Sequence, residues 1–146
     1  MTMTKFIYGV LVGLVLTNVS AAASVSDEDI RLVLIGSWVN APGQSKQLSI
    51  PARQIFRDNG TTTLYIYPTS ECRDPAAYFE GNWAVIGGML ITRITGSTHP
   101  ALVPIGTIEQ LEVLAVEPNR IVLEADDEVY VRDKSETCYA EDARRT

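Results

Sequence analysis

The chain has 146 residues, of which 46% are hydrophobic and 21% charged, with a formal net charge of −6. An acidic chain whose 12 Lys and Arg are scattered repels phosphate backbones, which argues against nucleic-acid binding and against docking on anionic lipid. One histidine and two cysteines are too few for a clustered zinc site, and the length suits one domain with one core.

The N-terminus reads as an export signal. Lys5 precedes an unbroken apolar run over residues 6–16, and Thr17, Asn18 and Ser20 lead into Ala21-Ala22-Ala23, a small-x-small cleavage site. A membrane-spanning helix needs about 20 apolar residues, and this run is far shorter. Residues 1–23 are therefore expected to be a cleaved signal peptide and residues 24–146 a single mature domain. Removing the signal takes away one positive charge, Lys5, and no acid, so the net charge goes from −6 to −7. No cysteine lies near the cut to carry a lipid, so the product is expected free of the membrane, in a periplasm or outside the cell.

Past the cut, Ser26 can cap a short helix, with Asp29 three residues on to complete a capping box. Asp27, Glu28 and Asp29 put negative charge in its first turn, where the helix dipole favours it, and Ile30, Leu32, Val33 and Leu34 supply an apolar side. Gly36 ends the helix and opens a strand over 35–40, broken by Ala41-Pro42-Gly43. Short strands are expected at 47–50 and 54–57, with Pro51 between them. Asp58-Asn59-Gly60 is a hairpin turn, because Asn and Gly tolerate the positive φ such turns require. It leads into 61–67, where Leu64 and Ile66 face one way and Thr63, Tyr65 and Tyr67 the other.

Residues 83–86, the Gly87-Gly88 turn and 89–95 form a second hairpin, and 105–116 is one long strand or two joined at a bulge. Glu117-Pro118-Asn119-Arg120 turns into 121–125, and Asp126-Asp127 turns into 128–133. That makes about eight strands in antiparallel succession with no interior helical period. The fold class is mainly β: a small up-and-down barrel behind a short helix, with a sandwich as the competitor. The tail from Lys134 is polar.

Two cysteines in an exported chain most simply pair. Cys72 and Cys138 lie 66 positions apart, so their bond would tie a mid-chain loop to the tail after the last strand. Loop entropy puts its worth at up to about 4 kcal/mol.

Gly36-Ser37-Trp38, directly after a short helix, resembles the G-x-W signature of lipocalins and their calycin relatives, and the chain as a whole resembles the short lipocalin-like domains of exported bacterial proteins. The resemblance implies that Trp38 closes one end of the barrel, and that an Arg from the last strand, here Arg132, packs across it. This chain is shorter than a full-length lipocalin and lacks the later motifs, which implies a smaller cavity. Inward residues expected to line it are Leu64, Ile66, Ile91, Val113 and Leu123. Residues 36–40 with Gly43 and Ser45 are also similar to the first strand of avidin-type biotin binders, but only two Trp occur and the later aromatic wall is missing.

No catalytic, cofactor-binding or metal-binding constellation emerges. His99 has neither Cys nor carboxylate nearby in sequence, and reads as an exposed loop residue. Asp126, Asp127 and Glu128 lack the alternating oxygen spacing of a calcium loop. Tyr65, Tyr67, Tyr78, Phe79 and Trp83 read as core and rim residues, with a ligand mouth or contact patch as the alternative. The expected role is non-catalytic binding of a small apolar or amphipathic ligand, without a cofactor. The alternative is a protein-contact module, an inhibitor or envelope-assembly partner, acting through the long connection over 96–104 or the Cys72 loop.

Overall fold

The computed structural model describes residues 24–42 and 50–139. The signal segment, most of the strand expected at 47–50, Gly43, Ser45 and the chain beyond Tyr139 lie outside the described residues. A helix α1 (Asp27–Leu34) is followed by β1 (Gly36–Asn40), β2 (Ala52–Phe56), β3 (Thr61–Ile66), β4 (Ala77–Ile86), β5 (Met89–Ser97), β6 (Ile108–Glu117), β7 (Arg120–Ala125) and β8 (Glu128–Lys134). Each strand pairs antiparallel with the next, and β8 returns to β1, closing an up-and-down barrel.

The helix forms where the caps place it. Ser26 sits in extended backbone; its Oγ accepts from the Asp29 amide at 3.1 Å, the N-cap bond, and donates to Asp29 Oδ2 at 2.7 Å, so the Asp29 carboxylate meets the Ser26 hydroxyl where a capping box would have it accept from the Ser26 amide. Two side chains fasten the helix across one end of the barrel. The Asp27 carboxylate accepts from the amides of Gly87 and Gly88 at 2.7 and 2.8 Å, and Arg31 donates to the carbonyl and carboxylate of Asp58, both at 2.7 Å. The helix thus bridges the β4–β5 and β2–β3 turns, and its buried Ile30 and Leu34 plug that end.

Period-2 alternation decides what fills the interior. Trp38, Phe56, Trp83, Leu90, Leu111, Ile121 and Leu123 make one core with Ile30 and Leu34, and the Phe56 and Trp83 rings meet edge-on at 5.1 Å. This core occupies the half of the barrel next to the helix.

β4 is longer than its sequence suggests, beginning at Ala77 because Ala77, Tyr78 and Phe79 pair with Ile66, Tyr65 and Leu64 of β3. A bulge between Glu80 and Gly81 bends it, and a Cβ at Gly81 would run into the Arg93 carbonyl oxygen, so only glycine fits there. The long sixth strand also carries a bulge, between Val113 and Ala115.

Cys72 and Cys138 are joined, with Cα atoms 5.6 Å apart. The chain after β8 crosses the outside of the barrel to reach the loop that follows β3. On the way the Ser135 amide donates to the Ser37 carbonyl of β1, and Arg53 of β2 donates to the Glu136 carbonyl, both at 2.9 Å. Cys138 itself is buried.

Candidate ligand cavity

The half of the barrel away from the helix holds a cavity of about 300 Å³. Trp38 forms its floor. Trp38 is 1% exposed, and its indole Nε1 donates to the Leu34 carbonyl at 2.7 Å, so a last-turn helix carbonyl holds the ring in place. Above the floor the inward positions of β2, β3, β5 and β8 supply Gln54, Thr62, Thr92 and Arg132. Gln54, Thr62 and Thr92 are buried, so the polar groups are the deep ones. Ala52, Leu64, Ile66 and Ile94 form the upper wall with Phe79, and Ile50 and Val103 stand at the mouth. The exposed part of the lining is mixed, with Ile50 56% exposed and Thr107 and Glu109 exposed as well, while Leu102 and Ile105, on the β5–β6 loop outside the lining, are 76% and 63% exposed.

The deep polar groups form a directed chain. Arg132 Nη1 donates to Gln54 Oε1 at 2.7 Å, Gln54 Nε2 to Thr62 Oγ1 at 3.3 Å, and Thr62 Oγ1 to the Ile55 carbonyl at 2.8 Å. Burial pulls the Arg132 guanidinium below its ordinary pKa, while the negative charge of Glu109, also in the cavity lining, acts to raise it. Arg132 keeps partial solvent contact through the cavity.

Leu64 and Ile66 are among the residues that line the cavity. Val113 and Leu123 face inward but belong to the packed half, where Leu123 is fully buried and Val113 packs on the core. Ile91 faces outward, because its neighbours Leu90 and Thr92 take the inward positions. Gly36 and Trp38 stand at the closed end as the G-x-W reading implies, but Arg132 is not the residue across Trp38. That place belongs to Lys134, which pairs with Trp38 between β8 and β1. Its ammonium lies 5.2 Å from the indole centroid and donates to the Val33 carbonyl at 3.2 Å.

Gly36 explains why a lysine stem can pass there. Its φ is +133°, and a Cβ would lie 2.9 Å from Lys134 Cε. Arg132, two residues earlier and on the same face of β8, is left to point into the cavity. Gln54, Thr62, Thr92, Ile94 and Glu109 were not anticipated, although Thr62 shares the inward phase of Leu64 and Ile66.

The aromatic group near Cys72 divides by the same alternation. Phe79 and Trp83 point inward, while the Tyr65 ring lies 6.3 Å from Tyr67 and 6.4 Å from Tyr78 on the outer face, with Arg53 over Tyr65. His99 lies exposed on the β5–β6 loop, its Nδ1 2.9 Å from Thr98 Oγ1. Asp126 and Asp127 both take positive φ, as a tight hairpin turn requires. Among the described residues, no three His, Cys, Asp or Glu converge to hold a metal ion. Nor is any helix among them long and apolar enough to cross a membrane.

Two solved structures share this architecture. A lipocalin-like protein from Bacteroides uniformis superposes with a TM-score of 0.53 over 70% of this chain and 99% of its own, at 14% identity. The fold is lipocalin-like. An uncharacterised protein from Bacteroides eggerthii gives 0.52 over the same shares, 70% and 99%, at 13% identity. No protein-family model matches the chain, and no curated protein matches it. At these identities the lipocalin-like likeness concerns the fold.

Proposed function

We propose that this chain is an exported, non-catalytic binding protein that holds one small apolar or amphipathic molecule in the open half of its barrel. The observation that carries the reading is the division of the interior. One half is filled by packed side chains, and the other leaves about 300 Å³ lined mostly by apolar groups with a few polar ones at depth. That volume sits at the small end of the roughly 300–1,000 Å³ range of ligand pockets, and a few buried polar groups among apolar walls are what orient a ligand. The Cys72–Cys138 bond and the N-terminal segment over 1–23 support export to an oxidising compartment. The one histidine, His99, stands outside the cavity lining.

Trp38 gives a direct test. Titration with the neutral dye Nile red should quench the tryptophan emission saturably at one dye per chain, in Trp83→Phe, where Trp38 is the emitter left, as in wild type, and native mass spectrometry of host-purified protein should show a co-purifying small molecule. No saturable quenching, with every preparation free of bound mass, would end this reading. The exposed Leu102 and Ile105 favour a second reading, a protein-contact module working through the β5–β6 loop. Its test is recovery of one stoichiometric envelope protein that is lost in Leu102→Asp.

A further inference from the structure

We infer, on the footing of a ligand-binding barrel, that the occupant carries a single negatively charged oxygen head group and enters head first, its oxygens meeting Arg132 above the Trp38 floor and its apolar body filling the space up to the mouth. Arg132 has five N–H donors and, among the described residues, its side chain spends one of them, on Gln54. No carboxylate among the described residues forms an ion pair with it. A guanidinium set among Trp38, Phe79 and Leu64 gives up hydration, and a protein partner usually compensates such a loss. Here the side chain lines the cavity, with no second protein acceptor among the described residues.

The hydrogen-bond chain from Arg132 through Gln54 and Thr62 ends on a backbone carbonyl. It therefore holds the guanidinium in place without neutralising it. A carboxylate or sulfate supplies both the missing charge and acceptors that suit a planar donor fork. The placement of charge sets the direction of entry. Gln54, Thr62 and Thr92 are buried at depth, whereas the exposed residues of the lining are Ile50, Thr107 and the acid Glu109, so an amphiphile entering tail first would leave its anionic head nearer a carboxylate than the guanidinium. Glu109 is the one acid in the lining and is exposed, and it is not in ion-pair contact with Arg132. A cationic head would have that single exposed carboxylate as its partner and the half-buried guanidinium as a repulsive neighbour.

The test is calorimetric titration of the wild-type protein with octanoate, octyl sulfate, 1-octanol and octylamine. At least one of the two anions should bind about tenfold or more tighter than 1-octanol, the scale of a charge-assisted hydrogen bond, and octylamine should bind weakest. Octanoate against octyl sulfate separates a carboxylate head from a sulfate one. In Arg132→Gln the anion preference should collapse to within about threefold while 1-octanol affinity is retained, and Arg132→Lys should keep part of the preference. If Arg132→Gln does not fold, the wild-type ranking decides alone. A head-group-blind ranking, or an Arg132→Gln protein that still prefers the anions, overturns this inference and leaves the binding reading standing. Absence of binding by all four overturns both.

Discussion

Replacing Lys134 and Arg132 in turn with methionine separates the two cations of β8. Both side chains are long, both project from the same face, and methionine keeps most of the apolar stem. Lys134→Met removes an ammonium 5.2 Å from the Trp38 ring and a bond of 3.2 Å to Val33 at the helix C-terminus. A cation–π contact at an accessible site is worth about 0.5–1 kcal/mol, and a positive charge at a helix C-terminus about 0.3–1 kcal/mol. The expected loss is thus about 1–2 kcal/mol, or about 4–8 °C in Tm for a domain of this size. Arg132→Met removes a cation that burial disfavours and leaves the Gln54 carbonyl oxygen without its donor, which costs about 1 kcal/mol. Relief of the desolvation offsets that loss, so this variant should be neutral within about 1 kcal/mol or more stable than wild type. Urea unfolding of both proteins with the disulfide intact is the assay. If Arg132→Met is the more damaging of the two, Arg132 closes the barrel after all and the assignment of Lys134 to Trp38 is wrong.

Three further outcomes can be checked in the same protein. Cys72→Ser with Cys138→Ser should lower stability by about 3–4 kcal/mol and make the Lys134–Ser135 bond at the end of β8 sensitive to trypsin under native conditions, where wild type is resistant. Leu123→Ala, in the filled half, should cost about 2–5 kcal/mol, whereas Leu64→Ala, on the cavity wall, should cost less because that side chain already borders open space; equal costs in denaturant melts would contradict the division of the interior. The Tyr130 hydroxyl donates to Glu128 at 2.9 Å, a bond that holds its pKa above the ordinary phenol value. A pKa raised in the folded state stabilises below the unfolded value and is lost as pH rises through the folded one. NMR titration should therefore place Tyr130 among the late tyrosines and move it earlier in Glu128→Gln; an unchanged midpoint would refute the contact.

The sequence makes the order of elements readable because each local signal has one physical solution: Ser26 satisfies the orphan amide of Asp29, and Gly60, Gly87-Gly88 and Asp126-Asp127 supply the positive φ of tight turns. Alternation assigns Leu64 and Ile66 to the interior, but it cannot give height. Val113 and Leu123 have the right phase and the wrong level, since barrel strands are tilted and staggered, and only closure of β8 on β1 fixes which residues share a layer. The same limit produced the exchange of Arg132 for Lys134. Two cations two residues apart on one face look equivalent until the pairing of Trp38 with Lys134 chooses between them. Ile91 failed for a different reason: in Met89-Leu90-Ile91-Thr92 the apolar run hides the phase, and a threonine takes the inward place. The polar depth of the cavity was legible in part, through Thr62 in phase with Leu64, but Gln54 and Arg132 meet only across a separation of 78 residues.

An up-and-down barrel has one joint unlike the others. Seven of its pairings join strands that are neighbours along the chain, while β1 and β8 come from opposite ends, so their pairing carries the greatest loop-closure cost. The segment over 135–138 spans that joint from outside like a buckle, bonded to β1 at Ser37, to β2 at Arg53 and by sulfur to the loop after β3. Before oxidation the joint is held by backbone pairing and non-covalent contacts such as Lys134 on Trp38, and each opening bares two strand edges able to pair with another chain. Oxidation turns a reversible clasp into a hoop. The chain is thereby matched to a compartment that oxidises thiols, and in a reducing one it would be a barrel with an unfastened seam.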